Sequence, residues 1–453
     1  MDILGTSGND ILDGTEGDDV FNGLGGAQDT FSGLGGSDTF LFSTPVSFSN
    51  VYDGGAGTDW FELRTSVFAA IGQDGNLGSA YIVNASLTTS VEGVRFTGTV
   101  GETQQLVIAS FFGGNAAAVP SLIEGSAGRD LLAFGAFGGM GGAAELVVPT
   151  LSASNWTGPG AIYRDEGDAV LFYIGDANGY VLRANEVNAA AGIVQALVGG
   201  AGNDTLIGSA GADKLVSIVG GNDALYGNGG NDSLAAINQA PNGSAAITTL
   251  TFAGSTFDGG DGTDFLSIGG RVNFQGTLTS IEGINLLPQI AVANPSAPRR
   301  EAAELTISSA QLASLPSNLQ IDGTGNIAVT MVSGAAFNGS LYQMLAGSDV
   351  NFTITGTSGN ETITGTTGDD VILPAGGVDT IHADAGNDEI VLTAPIGAGS
   401  ILDGGIGYDT LVLRPQSTYP NATGGYSTQY NAYFPTQIQG LEAARFETNA
   451  GDT

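Results

Sequence analysis

A nine-residue period restricts what this chain can fold into more than any other feature. It reads GTSGNDILD at 5–13, GTEGDDVFN at 14–22, GLGGAQDTFS at 23–32 (one residue longer) and GLGGSDTFL at 33–41. It returns at 199–207 (GGAGNDTLI), 208–216 (GSAGADKLV) and 227–235 (GNGGNDSLA), with a looser copy around Asp223. A third block runs through 356–364 (GTSGNETIT), 365–373 (GTTGDDVIL), 374–382 (PAGGVDTIH) and 383–391 (ADAGNDEIV). Such a period implies stacked, self-similar units whose core is buried only against neighbours. Glycines supply the positive-φ positions of a tight turn with carbonyls pointing into the loop. The last three residues make a short strand whose middle side chain turns inward. Leu12, Phe21, Phe31, Phe40, Leu206, Leu215, Leu225 and Leu234 take that inward place.

Two nonapeptides complete one coil, so every second repeat stacks and aspartates about eighteen residues apart come into line. The pairs are Asp10 with Asp29, Asp19 with Asp38, Asp204 with Asp223, Asp213 with Asp232, and Asp370 with Asp388. Each pair, with turn carbonyls, offers a hard cation the all-oxygen shell of six or more ligands that calcium takes, rather than the strict octahedron of magnesium. These residues resemble the RTX, or hemolysin-type calcium-binding, nonapeptide Gly-Gly-x-Gly-x-Asp-x-U-x, with U a large apolar residue. The resemblance implies several bound Ca2+ ions, held by the ten aspartates just named together with Asp379, whose partner is Glu361. Single copies at 54–62, 259–267 and 404–412 add Asp59, Asp264 and Asp409, which need ligands from a neighbouring coil. Asp130, in the copy at 125–133, has Arg129 beside it and is left out of the set. Glu361 in place of Asp, and Pro374-Ala375 in place of two glycines, depart from the pattern.

Charge agrees with this reading. Forty-six acidic against 11 basic residues leave a net charge of −35, a self-repulsion that compaction worsens unless cations neutralise it. Nucleic acid and anionic membrane surfaces are unsuitable partners for such a chain. A halophile-like acidic surface is the bland alternative, but here the aspartates recur in register. Cysteine is absent, which removes disulfides and thiolate metal sites and leaves metal as the staple. Met1-Asp2-Ile3-Leu4-Gly5 has no basic or apolar segment of a cleavable signal, and no run of 18 apolar residues predicts a membrane span.

A larger unit of roughly ninety residues occurs three times, at 5–98, 199–287 and 356–448. Each holds a repeat block, an isolated repeat after Asp53, Asp258 or Asp403, and a closing apolar-Glu strand: Val91-Glu92-Gly93, Ile281-Glu282-Gly283, Leu441-Glu442-Ala443. The expected fold is all-β, a right-handed parallel β-helix or β-roll with calcium-binding turns and three related units. Its parts are 1–98, a β-rich spacer 99–198, 199–287, a linker and spacer 288–355, and 356–453. Strands are expected at Leu106–Ile108, Val170–Ile174, Leu305–Ile307 and Ile327–Thr330, and a short helix over Ser309–Leu315 capped by Ser308 or Ser309. Pro295-Ser296-Ala297-Pro298-Arg299-Arg300 is the candidate hinge or boundary.

No catalytic signature accompanies the repeats. The sole histidine, His382, falls at an outward repeat position, so a His-Glu-x-x-His zinc site is excluded, and no Gly-x-Ser-x-Gly elbow is present. A β-helix polysaccharide lyase or epimerase would draw on Arg164, Asp165, Glu166 and Arg183. Trp156, Tyr163, Tyr173 and Tyr180, and Tyr419, Tyr426, Tyr430 and Tyr433, form two aromatic groups suited to a sugar platform or to core packing. With repeats throughout, the chain resembles RTX-type bacterial surface-layer and extracellular assembly proteins. That resemblance implies no enzyme activity, self-association into an array or filament, possible contact with cell-surface polysaccharide, and type I export to the surface of a Gram-negative cell. A soluble RTX adhesin is the alternative, and no membrane insertion is expected.

Overall fold

A computed structural model describes residues 1–25, 28–43, 49–64, 81–99, 102–109, 120–127, 129–136, 145–154, 169–174, 179–218, 220–238, 249–287, 289–290, 300–301, 303–414, 417–420, 426–429 and 437–447. It is all-β and almost wholly parallel, a β-solenoid in which each coil contributes short strands to facing sheets. Two compact units are present: Met1–Asn242 with Gly254–Ser267, and Gly243–Ala253 with Ile268–Thr453.

In the first unit, Asp2–Leu4, Val20–Asn22, Thr39–Phe42, Trp60–Leu63, Gly93–Phe96, Leu122–Glu124 and Ser152–Ser154 form one parallel sheet. Ile11–Asp13, Thr30–Ser32, Val51–Asp53 and Thr88–Thr89 form the opposite one. The register aligns like with like: Phe21 faces Phe40 and Phe40 faces Phe61 in the first sheet, Leu12 faces Phe31 and Phe31 faces Tyr52 in the second. Rings then stack within each sheet, Phe21 on Phe40 at 5.2 Å and Phe31 on Tyr52 at 5.0 Å, and meet edge-on between the sheets, Phe21 to Phe31 at 6.1 Å. The inward positions expected from the repeat are buried, except that Leu12 is half-buried. Phe40 touches four other rings, so Phe40→Ala should cost about 3–5 kcal/mol of calcium-loaded stability, the usual range for emptying a buried aromatic site. Chemical denaturation at fixed calcium measures it.

The first spacer continues the stack. Thr103–Ala109, Arg129–Ala136, Ala169–Ile174, Gln195–Gly199, Asp213–Ile218 and Ser233–Ile237 pair in that order, so spacer coils lead directly into the second repeat block. One short helix, Glu186–Ala190, capped by the Asn185 side chain, was not foreseen from the sequence; its only local signal is the Asn-Glu start.

In the second unit, Asp349–Thr355, Asp370–Leu373, Glu389–Leu392, Thr410–Leu413 and Ala443–Phe446 form one sheet, and Ala336–Asn338, Thr362–Thr364, Thr380–His382, Ile401–Asp403 and Gln437–Gln439 the other. The expected helix is present as Ser309–Leu312, with Ser308 and Gln311 forming a reciprocal capping box. Of the Pro-rich stretch, 295–299 lie outside the described residues; Arg300–Glu301 pairs antiparallel with Gln289–Ile290.

Candidate metal centre

Stacking converts the repeat aspartates into ladders. In each, the backbone N–H of one aspartate donates to a carboxylate oxygen on the next coil. Asp10 donates to Asp29 (3.0 Å), Asp19 to Asp38 (2.8 Å), Asp38 to Asp59 (2.7 Å), Asp204 to Asp223 (2.8 Å), Asp213 to Asp232 (2.7 Å) and Asp232 to Asp264 (2.7 Å). In the third block Glu361 donates to Asp379 (2.8 Å), Asp370 to Asp388 (2.7 Å) and Asp388 to Asp409 (2.8 Å). The five aspartate pairs drawn from sequence spacing are therefore adjacent in space. Asp59, Asp264 and Asp409, though isolated in sequence, are the next rungs of the same ladders.

Each block carries two ladders that end differently. One ends on a neutral acceptor: Asp29 donates to Asn50, Asp223 to Ser255 and Asp379 to Ser400. The other runs on through the isolated copy, and in the first and third blocks it finishes on a glutamate: Asp59 donates to Glu92 (2.9 Å) and Asp409 to Glu442 (2.8 Å). Those glutamates are in the closing strands noted above, but their sequence context gave no sign that they take an aspartate's place.

Two turn conformations surround the carboxylates. Where Thr or Ser follows the first glycine, the turn donates to one oxygen of its own aspartate: Thr15 N–H to Asp19 (2.5 Å), Ser209 N–H to Asp213 (2.5 Å) and Thr366 N–H to Asp370 (2.5 Å), while Asp213 Oδ1 stays buried without a donor. Elsewhere that position is left-handed, at Leu34 (φ 69°), Gly55 (88°), Asn228 (71°), Ala375 (66°), Asp384 (79°) and Gly405 (97°). Four residues after each of these lie Asp38, Asp59, Asp232, Asp379, Asp388 and Asp409, and in all six one carboxylate oxygen is buried with no hydrogen-bond donor. Asn and Asp tolerate left-handed backbone, but a left-handed Leu or Ala is unfavourable, so Leu34 and Ala375 are held against local preference.

Buried, unpartnered carboxylate oxygens are costly, and the cost shows in their acidity. Burial, reinforced by the Asp213 and Asp264 charges, pushes Asp232 up to about 8. Burial likewise pushes Asp388 up to about 7, with Asp370 and Asp409 adding to it, and Asp38 and Asp379 up to about 6. Asp59 and Asp409 are raised for the same reason, with the charges of Glu92 and Glu442 adding to it.

Beside Asp38 and Asp232 a main-chain carbonyl from the next coil shares the space. A methyl group added at Gly33 would overlap both Asp38 Oδ2 and the Gly54 carbonyl oxygen, and one at Gly227 would overlap Asp232 Oδ2 and the Gly259 carbonyl. Only hydrogen fits there. Among the described residues no three Asp, Glu or His side chains converge on one point, so the donor set is carboxylate plus carbonyl. That hard-oxygen set fits calcium, whose shell accepts many carbonyls, and not a nitrogen- or sulfur-loving metal.

The departures have physical outcomes. Glu361 keeps its rung, but its longer side chain folds back to accept from the Thr357 hydroxyl (2.7 Å) and Gly334 N–H (2.9 Å). Burial alone would raise its pKa; these donors overcome that and lower it. Asp130 is buried and accepts from Ser126 N–H and hydroxyl at 2.6 and 2.7 Å. His382 is half-exposed with Nδ1 3.3 Å from Asp403, on the outward position expected of it. Arg164, Asp165, Glu166, Trp156, Tyr163, Tyr430 and Tyr433 lie outside the described residues. Arg183 is half-buried on Val181–Arg183, and Tyr173 is on Ala169–Ile174. Tyr180 is buried, its N–H donating to Asp204, so it belongs to the core. Tyr419 and Tyr426 are on an antiparallel hairpin.

Buried carboxylates on the turns of a parallel β-solenoid are the arrangement expected of a calcium-binding repeat. A family model for the RTX calcium-binding nonapeptide repeat matches four stretches, 4–40, 196–217, 220–236 and 355–390, and the chain carries these repeats. No curated protein matches the chain. Such repeats are typical of secreted proteins of Gram-negative bacteria, and among the described residues no helix is long and apolar enough to cross a membrane.

Proposed function

We propose that this chain is a calcium-ordered extracellular structural protein that folds and then associates with its own copies as calcium binds. The observation that carries the reading is the set of buried, donorless oxygens on Asp38, Asp59, Asp232, Asp379, Asp388 and Asp409. Divalent cations would satisfy those oxygens and reduce the net charge of −35 that keeps copies apart. Folding and association would then answer to one ion. The low-calcium cytoplasm would hold the chain open, and calcium outside a Gram-negative cell would close it, which suits export as an unfolded chain through a type I channel. The proposal assigns the chain no chemical step of its own.

Light scattering and electron microscopy across a calcium titration test the association. Ordered sheets or filaments are expected at millimolar calcium, the range in which extracellular calcium modules fill. A monodisperse monomer at high protein concentration and saturating calcium would replace this reading with that of an adhesin, and glycan-array binding would then identify its polysaccharide.

A further inference from the structure

Two glutamates outside the nonapeptide repeat stand where a repeat aspartate would be. We infer that Glu92 and Glu442 complete two terminal calcium sites, one with Asp59 and the Ser90 carbonyl, the other with Asp409 and the Gly440 carbonyl.

The two ends share their contacts, with Glu92 half-buried and Glu442 exposed. Asp59 and Asp409 are 0% exposed, and Oδ2 of each has no hydrogen-bond donor. Their backbone N–H groups donate to Glu92 Oε2 at 2.9 Å and Glu442 Oε2 at 2.8 Å, the bond that joins every earlier pair of rungs. Two residues before each glutamate the chain is left-handed, at Ser90 (φ 51°) and Gly440 (φ 61°). The carbonyl of that residue approaches the preceding coil so closely that a methyl at Gly54 would overlap the Ser90 oxygen and lie 2.5 Å from Asp59 Oδ2. A methyl at Gly404 would overlap the Gly440 oxygen and lie 2.8 Å from Asp409 Oδ2. Orphaned carboxylate oxygen, carbonyl and second carboxylate therefore meet as they do between aspartate rungs.

The cations nearby are otherwise engaged. Arg95 pairs with Glu62 and Glu124, and Arg445 with Glu389 and Glu447. A hydrogen-bonding cap would need no charge at this position: Asn50, Ser255 and Ser400 end the companion ladders with neutral side chains. At both charged ends the preceding aspartate retains an unpartnered buried oxygen with a carbonyl beside it.

Glutamine separates the two roles, because it keeps an oxygen to accept the Asp59 or Asp409 N–H while losing the charge a calcium ion needs. Equilibrium dialysis with radioactive calcium should show that the E92Q/E442Q double variant of the full chain binds two ions fewer than the parent, one per closure. Each single variant should bind one fewer, and the single variants decide the question if the double variant does not fold. The inference rests on the calcium reading, and the two fail differently. A parent that binds no calcium overturns both, whereas a parent that binds calcium and variants with unchanged stoichiometry overturn the terminal sites alone and leave the glutamates as hydrogen-bonding caps.

Discussion

Stripping calcium with a chelator at neutral pH should turn this β-rich protein into a largely disordered chain, and circular dichroism should recover the β signal at about 10⁻⁴–10⁻³ M calcium. The coils consist of strands mostly three to five residues long, which bury too little to offset chain entropy while uncompensated carboxylates sit between them. The pH dependence has a definite sign. Asp38, Asp232, Asp379 and Asp388 have folded pKa values raised to about 6–8 from an unfolded value near 4. The folded state then holds the extra protons, so metal-free stability is present below about pH 4 and is lost as pH rises through 6 to 8. Chelated protein at pH 5 should therefore hold more β structure than at pH 8, while calcium binding strengthens over the same rise. A β-rich spectrum indifferent to chelator at pH 8 would refute the account.

Replacing Asp232 by asparagine should reverse sign with calcium. Asp232 lies between Asp213 and Asp264, accepting from the N–H of the one and donating to a carboxylate oxygen of the other. Asparagine keeps the acceptor for Asp213 and turns an amide toward the Gly259 carbonyl, where the aspartate brought a second oxygen. In chelator at pH 8 the variant should retain more structure than the parent, because a buried charge is gone; at pH 5 the advantage should shrink, since Asp232 is then protonated. With calcium saturating, the order inverts. Each ion lost at hundredfold excess over its Kd removes about 2.7 kcal/mol, which is roughly 5–10 °C in Tm for a unit of this size. Thermal melts with and without calcium read both arms. Asp130→Asn, where Ser126 already satisfies both oxygens, should show no such inversion.

The regular part of this architecture was legible because its period was visible. Where two nonapeptides follow one another, Phe21, Phe40 and their carboxylates could be placed by counting. The sequence also indicated that Asp59 and Asp409 would need help from another coil. It concealed which residue helps, since the hydrogen bond from Asp59 spans 33 residues to Glu92 and nothing between them repeats. Turn handedness was hidden for another reason. Leu34 and Ala375 adopt left-handed backbone that their side chains do not favour, so only stacking on the next coil reveals it. Six of the carboxylates that keep a donorless oxygen follow such left-handed turns, while Asp213 keeps one behind a Ser turn.

The ladders also bear on how such chains can diversify. One rung is joined to the next by the same hydrogen bond, 2.7–2.9 Å, whether 18 residues intervene (Asp370 to Asp388), 21 (Asp38 to Asp59), 32 (Asp232 to Asp264) or 33 (Asp59 to Glu92). Contour length between rungs is free, provided the chain returns to the same place on the following coil. Insertions can thus be accepted as excursions from the turns, and whole coils gained or lost, without altering any rung already built. A stretch of nine residues lost within a block would be a different matter, because it would exchange the two sheets for everything downstream. Natural variation in proteins of this design should therefore concentrate in excursions of arbitrary length and in steps of a full coil, giving a lineage a freely editable surface on an unchanging spine.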